Sequence, residues 1–145
     1  MAKKRIIIIN GPNLNLLGKR QPEIYGNQTF EEYFDQLSAT FEDVVTLEYY
    51  QSNHEGALID KIQDVGFMNI GLILNAGGYT HTSVALADCV SAVSSPVIEV
   101  HISNIKEREP FRHHSYLEAV CHSSIMGKGL KGYEMAIEEL LKIIE

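Results

Sequence analysis

The sequence predicts a three-layer α/β domain built on a five-stranded parallel sheet, and three observations predict it. Short apolar runs alternate with helical apolar stripes along the 145 residues, the pattern of repeated strand–helix–strand crossovers. The runs at 71–75 and 97–102 are almost continuously apolar, as strands covered on both faces are. Asn-Gly-Pro after residue 9 and Ala-Gly-Gly after residue 75 stop two of these runs abruptly, as turn residues do. Five strands interleaved with helices suggest the flavodoxin-like order 2-1-3-4-5 in a single domain, 1–145.

Residues 5–9, with four isoleucines, form the expected first strand. A long polar loop follows over 10–26, and loops of that length in compact domains are usually functional. Thr29 with Glu32 three residues on forms a capping box for a helix whose stripe is Phe30, Tyr33, Phe34, Leu37 and Phe41. Residues 44–50, β-branched and aromatic, are the second strand. Asn53 is expected to cap a helix over 54–65, ended by Gly66, with Leu58, Ile59 and Ile62 buried. The third strand is 71–75. A helix from Thr82 or Ser83 carries Val84, Leu86, Ala87, Val90 and Val93, and Pro96 restarts the chain as the fourth strand, 97–102. A polar stretch, 103–114, leads to a short helical turn at 115–120 and a weaker fifth strand at 121–126. Glycines 127, 129 and 132 separate it from a terminal helix over 133–144 with Met135, Ala136, Leu140, Ile143 and Ile144 as core.

Composition narrows the function. Twelve Lys plus Arg against nineteen Asp plus Glu leave a net charge of −7, which argues against nucleic-acid and anionic-membrane partners, since both need a basic face. A small anionic substrate remains compatible, because local arginines can oppose the global sign. Cys89 and Cys121 lack the spacing of a zinc site or redox pair, which fits a reduced, cytoplasmic setting. The apolar run before Asn10 is shorter than the ~7 to 15 residues of a signal core, and no stretch is long enough to span a bilayer.

In an open parallel sheet, ligands bind beyond the carboxyl ends of the strands where strand order reverses, here between the first and third. That edge gathers Asn10 and Asn13, Asn75, and the series Glu99, His101 and Ser103, whose spacing of two puts them on one face if the strand continues. A carboxylate beside an imidazole can orient the ring and favour its protonated form, which suits a general acid. Asn10 and Asn75 read equally well as strand terminators. Gly77-Gly78 is either a tight turn or a set of backbone donors ahead of a helix. Tyr25 is a candidate loop cover, and Arg108 and Arg112 form either a solvated cluster or a bidentate carboxylate grip.

The segments NGPNLNLLG, RQPEIYG, LNAGGYTHTSVALAD, EVHISN, REPFR and GLKGYEMA together resemble type II 3-dehydroquinate dehydratase, the small flavodoxin-like dehydroquinase. They span nearly the whole chain in the family's order. Two positions depart from it: Ala76-Gly77-Gly78 stands where the family often has Pro-Gly-Ala, and Ala87 where it often has Arg. The resemblance implies dehydration of 3-dehydroquinate without a cofactor or metal. It implies Tyr25 as base, Arg20 as the cation favouring the tyrosinate, His101 as acid held by Glu99, and Asn13 stabilising the enolate through a water. Asn75, His81, Ile102, Ser103 and Arg112 match substrate-binding positions. Asp88 matches a residue that completes a neighbouring subunit's site in a dodecamer built as a tetramer of trimers.

Two other classes share the expected fold. A flavin-binding electron carrier needs hydroxyl donors after the first strand, and no Ser or Thr lies between Asn10 and Gln28. A phospho-acceptor module needs acidic residues after the first strand and an Asp at the end of the third, where this chain has Asn10 and Asn75. A metal hydrolase lacks a HExxH pattern despite six histidines.

Overall fold

The computed structural model describes residues 3–19, 21–25 and 27–144, with positions 24 and 25 described by backbone alone. Five strands, β1 (Lys4–Asn10), β2 (Val45–Gln51), β3 (Gly71–Asn75), β4 (Val97–His101) and β5 (Ser123–Met126), form one parallel sheet in the order β2-β1-β3-β4-β5. The expected order is therefore the observed one. Five helices accompany them: α1 (Pro22–Tyr25), α2 (Phe30–Phe41), α3 (Glu55–Val65), α4 (Val84–Ala92) and α5 (Lys131–Ile143).

The period-2 alternation of a strand decides which residues build which layer. Ile6 and Ile8 point to one face and pack with Phe30, Leu37, Ile137 and Leu140 from α2 and α5. Ile7 and Ile9 point to the other and pack with Leu58, Ile62, Leu86 and Val90 from α3 and α4. All four isoleucines are essentially inaccessible to water, which is why the run has no polar member. The Thr29–Glu32 capping box forms as expected and starts α2 directly beneath β2.

Several expectations need correction. The 10–26 segment is not loop throughout, since it contains a 3₁₀ turn, Leu14–Leu16, and α1, which starts at Pro22, where a fixed φ suits a first helical position. Asn53 does not cap α3. His54 occupies that position without a side-chain bond, because the side-chain oxygen of Asn53, Oδ1, is already taken by Asn13 N–H and Gln51 Nε2. The fourth strand stops at His101, so Ile102 and Ser103 lie beyond its end. Residues 115–120 make turns, not a helix, and β5 begins at Ser123. Val84 and Ile143 are exposed, whereas Tyr133 and Ile137, which the terminal stripe omitted, are fully buried. Among the described residues no helix is long and apolar enough to cross a membrane.

Candidate active site

The strand ends meet a cavity of about 220 Å³ lined by Pro12, Asn13, Leu14, Asn75, Gly77, Gly78, His81, His101, Ile102, Ser103, Ile105, Arg108 and Arg112. Its floor is the junction of β1 and β3. Asn10 is in register with Asn75, and the next residue, Gly11, donates its N–H to Asn75 O at 2.7 Å. A Cβ on Gly11 would lie 2.5 Å from Ala76 O, so the crossing admits only glycine. The chain then turns through Asn13, whose φ of 70° is left-handed, a region Asn tolerates better than most residues. Asn13 N–H is tied to Asn53 Oδ1 at 3.0 Å, while Gln51 Nε2 donates to Gly11 O and to Asn53 Oδ1 and the Tyr79 hydroxyl donates to Asn53 O. These bonds lace the first wall to the end of β2 and the 3₁₀ turn Gly77–His81.

The opposite wall is built around a buried acid. Glu99 is wholly inaccessible to water, and His101, two residues on, places Nε2 2.5 Å from Glu99 Oε2. Thr80 Oγ1 at 2.8 Å and the Ser115 hydroxyl also donate to Oε2, and Ser124 Oγ donates to Oε1 at 2.6 Å. Burial alone would push this carboxyl up. The His101 contact and the Ser115 and Ser124 hydroxyls outweigh it and hold the carboxyl down at about 2. Glu99 is therefore an anion at neutral pH, and it fixes Nε2 of the ring as a proton donor. Nδ1 is left to exchange a proton elsewhere. The carbonyls of His101, Ile102 and Ser103 are occupied by the N–H groups of Gly127 and Gly129.

The rim is cationic. Arg112 Nε lies 3.1 Å and Arg108 Nε 3.7 Å from the two carboxylate oxygens of Glu109, which splays the pair across the 3₁₀ turn Pro110–Arg112. His81 Nδ1 meets His114 O at 2.8 Å. Burial lowers the His81 pKa, the His114 carbonyl opposes this, and the nearby His101, Arg112 and Arg108 side chains lower it further. With Nδ1–H given to the His114 carbonyl, a neutral His81 presents Nε2 to this rim as an acceptor. The site suits a compact ligand with a carboxylate and several hydroxyls.

The fold thus brings Asn13, Asn75, His81, His101, Ile102, Ser103 and Arg112 to one cavity, with Glu99 behind His101. Asp88 does not join them: it is exposed on α4 and does not line the cavity. Arg20 and the side chain of Tyr25 lie outside the described residues. Arg108, paired with Arg112 in the sequence but not carried into the expected site, lines the cavity. The hydroxyls of Thr80, Ser115 and Ser124 and the buried Tyr133 went unread, since nothing local marks them; only the burial of a Glu in an apolar strand signals that donors must exist somewhere.

The family model described as "Dehydroquinase class II" matches residues 4–141. A 3-dehydroquinate dehydratase from Exiguobacterium sp. is 50% identical over 138 residues, covering 95% of this chain and 94% of its own. A catabolic 3-dehydroquinase from Aspergillus clavatus is 48% identical over 138 residues, covering 94% and 92%. Among solved structures, type II dehydroquinase from Butyrivibrio crossotus superposes with a TM-score of 0.91 at 50% identity, covering 95% of this chain and 97% of that one. The type II dehydroquinase from Propionibacterium acnes does so with a TM-score of 0.93 at 37% identity, covering 97% of both. A parallel sheet in the order 2-1-3-4-5, an imidazole–carboxylate pair at the end of its fourth strand, and similarity over nearly the full length lead to one conclusion: this chain belongs to the class II dehydroquinase family.

Proposed function

We propose that the chain is a type II 3-dehydroquinate dehydratase, a carbon–oxygen lyase that converts 3-dehydroquinate to 3-dehydroshikimate and water in the shikimate pathway. The observation that most supports it is the buried Glu99–His101 pair, opening onto a cavity that also holds Asn13, Asn75, Ser103 and Arg112. Elimination next to a ketone needs a base, a stabiliser for the enolate, an acid for the departing hydroxyl and a grip on the carboxylate.

In this reading Tyr25, its phenolate favoured by Arg20, removes the C2 proton, and the electron pair passes to the ketone oxygen. Asn13 stabilises that oxygen through a water. The pair then returns to form the C1–C2 double bond as the C1–O bond breaks, and His101 protonates the leaving oxygen so that water departs. Glu99, an anion, stabilises imidazolium before transfer and keeps the ring aligned after it. Arg112, with the backbone of Ile102 and Ser103, receives the carboxylate, while Asn75 and His81 bind hydroxyls. No step calls for a metal or cofactor. Asp88 acts on the site of a neighbouring subunit in a dodecamer of four trimers. The enzyme works on a soluble small molecule in the cytoplasm.

The direct test adds 3-dehydroquinate to the folded protein and follows ultraviolet absorbance of the conjugated enone. Steady growth of that band is expected; its absence with well-folded protein would reject the assignment.

A further inference from the structure

One buried polar chain lies just behind the cavity. The Tyr133 side chain, from the first turn of α5, is fully buried, yet its hydroxyl reaches the ends of β1 and β3. There it accepts a hydrogen bond from Asn75 Nδ2 at 2.9 Å and donates one to Asn10 Oδ1 at 2.9 Å. The other end of the Asn75 amide is held too, since Asn75 Oδ1 accepts from Gly77 N–H at 3.1 Å. Gly77 has a left-handed φ of 60°, which aims its N–H back at the strand end, and a Cβ there would meet Pro12 O at 3.1 Å.

The chain has a single consistent direction: Gly77 N–H to Asn75, Asn75 N–H to Tyr133, Tyr133 O–H to Asn10. A flipped Asn75 would set its NH₂ against the Gly77 N–H, two donors facing each other. A flipped Asn10 would give the Tyr133 hydroxyl two N–H donors and no acceptor for its own proton. Asn10 Oδ1 closes the chain from the cavity, and the Asn10 amide also meets the Tyr49 hydroxyl.

We infer that Tyr133 is a positioning residue for the active site: its hydroxyl sets the orientation of the Asn75 amide, leaving the second Nδ2 hydrogen of Asn75 to a substrate oxygen. The ring cannot drift to another position, because Phe30 meets it edge-on with centroids 5.0 Å apart and Phe30 in turn stacks on Tyr49 at 4.6 Å. The phenol is held neutral as well, since burial raises its pKa far above the ordinary value. It thus remains a donor at every working pH. The inference rests on the proposed substrate-binding role of Asn75.

The test compares the parent enzyme, Asn75→Ala, Tyr133→Phe and the double variant with 3-dehydroquinate. Tyr133→Phe keeps the ring and removes the hydroxyl; it is expected to lower kcat/KM about tenfold, mainly through KM, as the loss of one oriented hydrogen bond would. A merely structural role would lower melting temperature and active fraction while leaving KM in place. If Tyr133 acts through Asn75, the double variant is no worse than Asn75→Ala alone. Losses that multiply in the double variant, or an unchanged KM for Tyr133→Phe when Asn75→Ala is impaired, overturn the inference. Full activity of Asn75→Ala overturns it differently, by removing the role of Asn75 itself. Should Tyr133→Phe be too unstable to assay, combining it with Asn10→Leu removes both ends of one bond and strands no acceptor, with the same expectation for KM.

Discussion

Glu99 carries a charge where water does not reach, and what compensates it can be counted: one imidazole and three hydroxyls. Because its folded pKa is depressed to about 2 against an ordinary value of 4.5, it contributes stability that is fully present above the ordinary carboxylate range and lost as pH falls through about 2. The contribution is on the order of 3 kcal/mol. Glu99→Gln puts an NH₂ among donors, so it is expected to destabilise near pH 6, with the gap to the parent closing as the buffer approaches pH 2. Urea titrations of both proteins across that range would show it, and a gap constant with pH would deny Glu99 its charge. For His101, placed at the cavity with one nitrogen already committed to Glu99, replacement by Ala is expected to lower kcat roughly 10²- to 10⁴-fold, the usual worth of a positioned proton donor. Stopped-flow or steady-state turnover would measure this, and near-normal turnover would mean that another group protonates the leaving oxygen.

At the scale of elements, the site depends on how closely β1 and β3 converge. Gly11→Ala forces a Cβ onto the Ala76 backbone, an overpacking expected to cost ~1–3 kcal/mol and to displace Asn13 with it. Gly56→Ala, in α3 where a Cβ meets nothing within 4 Å, is the control and is expected to be neutral or slightly stabilising. Paired denaturation curves decide it; equal behaviour of the two variants would mean the crossing is not tight. Strands such as β1, β3 and β4 were legible because burial on both faces keeps them mostly apolar, with Asn10, Asn75, Glu99 and His101 standing where the strands meet the site. Asn53 shows where local rules stop: its side chain fits a helix cap, but Asn13 and Gln51, about 40 and 2 positions away, bid for the same oxygen and win. Glu99 and His101 were readable from a spacing of two on one strand. Thr80, Ser115 and Ser124 were not, because they stand 19, 16 and 25 positions from Glu99 and only the closed sheet brings them there. Tyr133 is legible in the sequence only as the start of a helix, outside its core stripe, because its hydroxyl matters through strand ends more than 50 residues distant.

At the scale of the molecule, a net charge of −7 coexists with a cavity rim that carries Arg108 and Arg112. The carboxylate grip proposed for Arg112 is local and set against the field of the whole surface. Asp88 is exposed on α4 and does not line the cavity of its own chain, so the part proposed for it is played toward a second copy. Light scattering is expected to give a closed oligomer, the dodecamer first and the trimer second, as symmetric closure favours. A fully active monomer at assay concentration would leave Asp88 without a role.

The carboxylate cage described above has a consequence for the order in which the protein comes apart. One of its hydroxyls, Ser124, sits on β5, an edge strand of four half-buried residues that pairs only with β4. Short edge elements detach at lower free energy than central ones. Once β5 leaves, Glu99 loses the donor on its Oε1 and becomes wet, while both faces of the central sheet remain packed. Inactivation by urea is therefore expected to precede loss of the helical far-ultraviolet signal, and amide hydrogens at 123–126 should exchange in step with the lost activity. Coincident curves would mean instead that the edge is as firmly held as the centre.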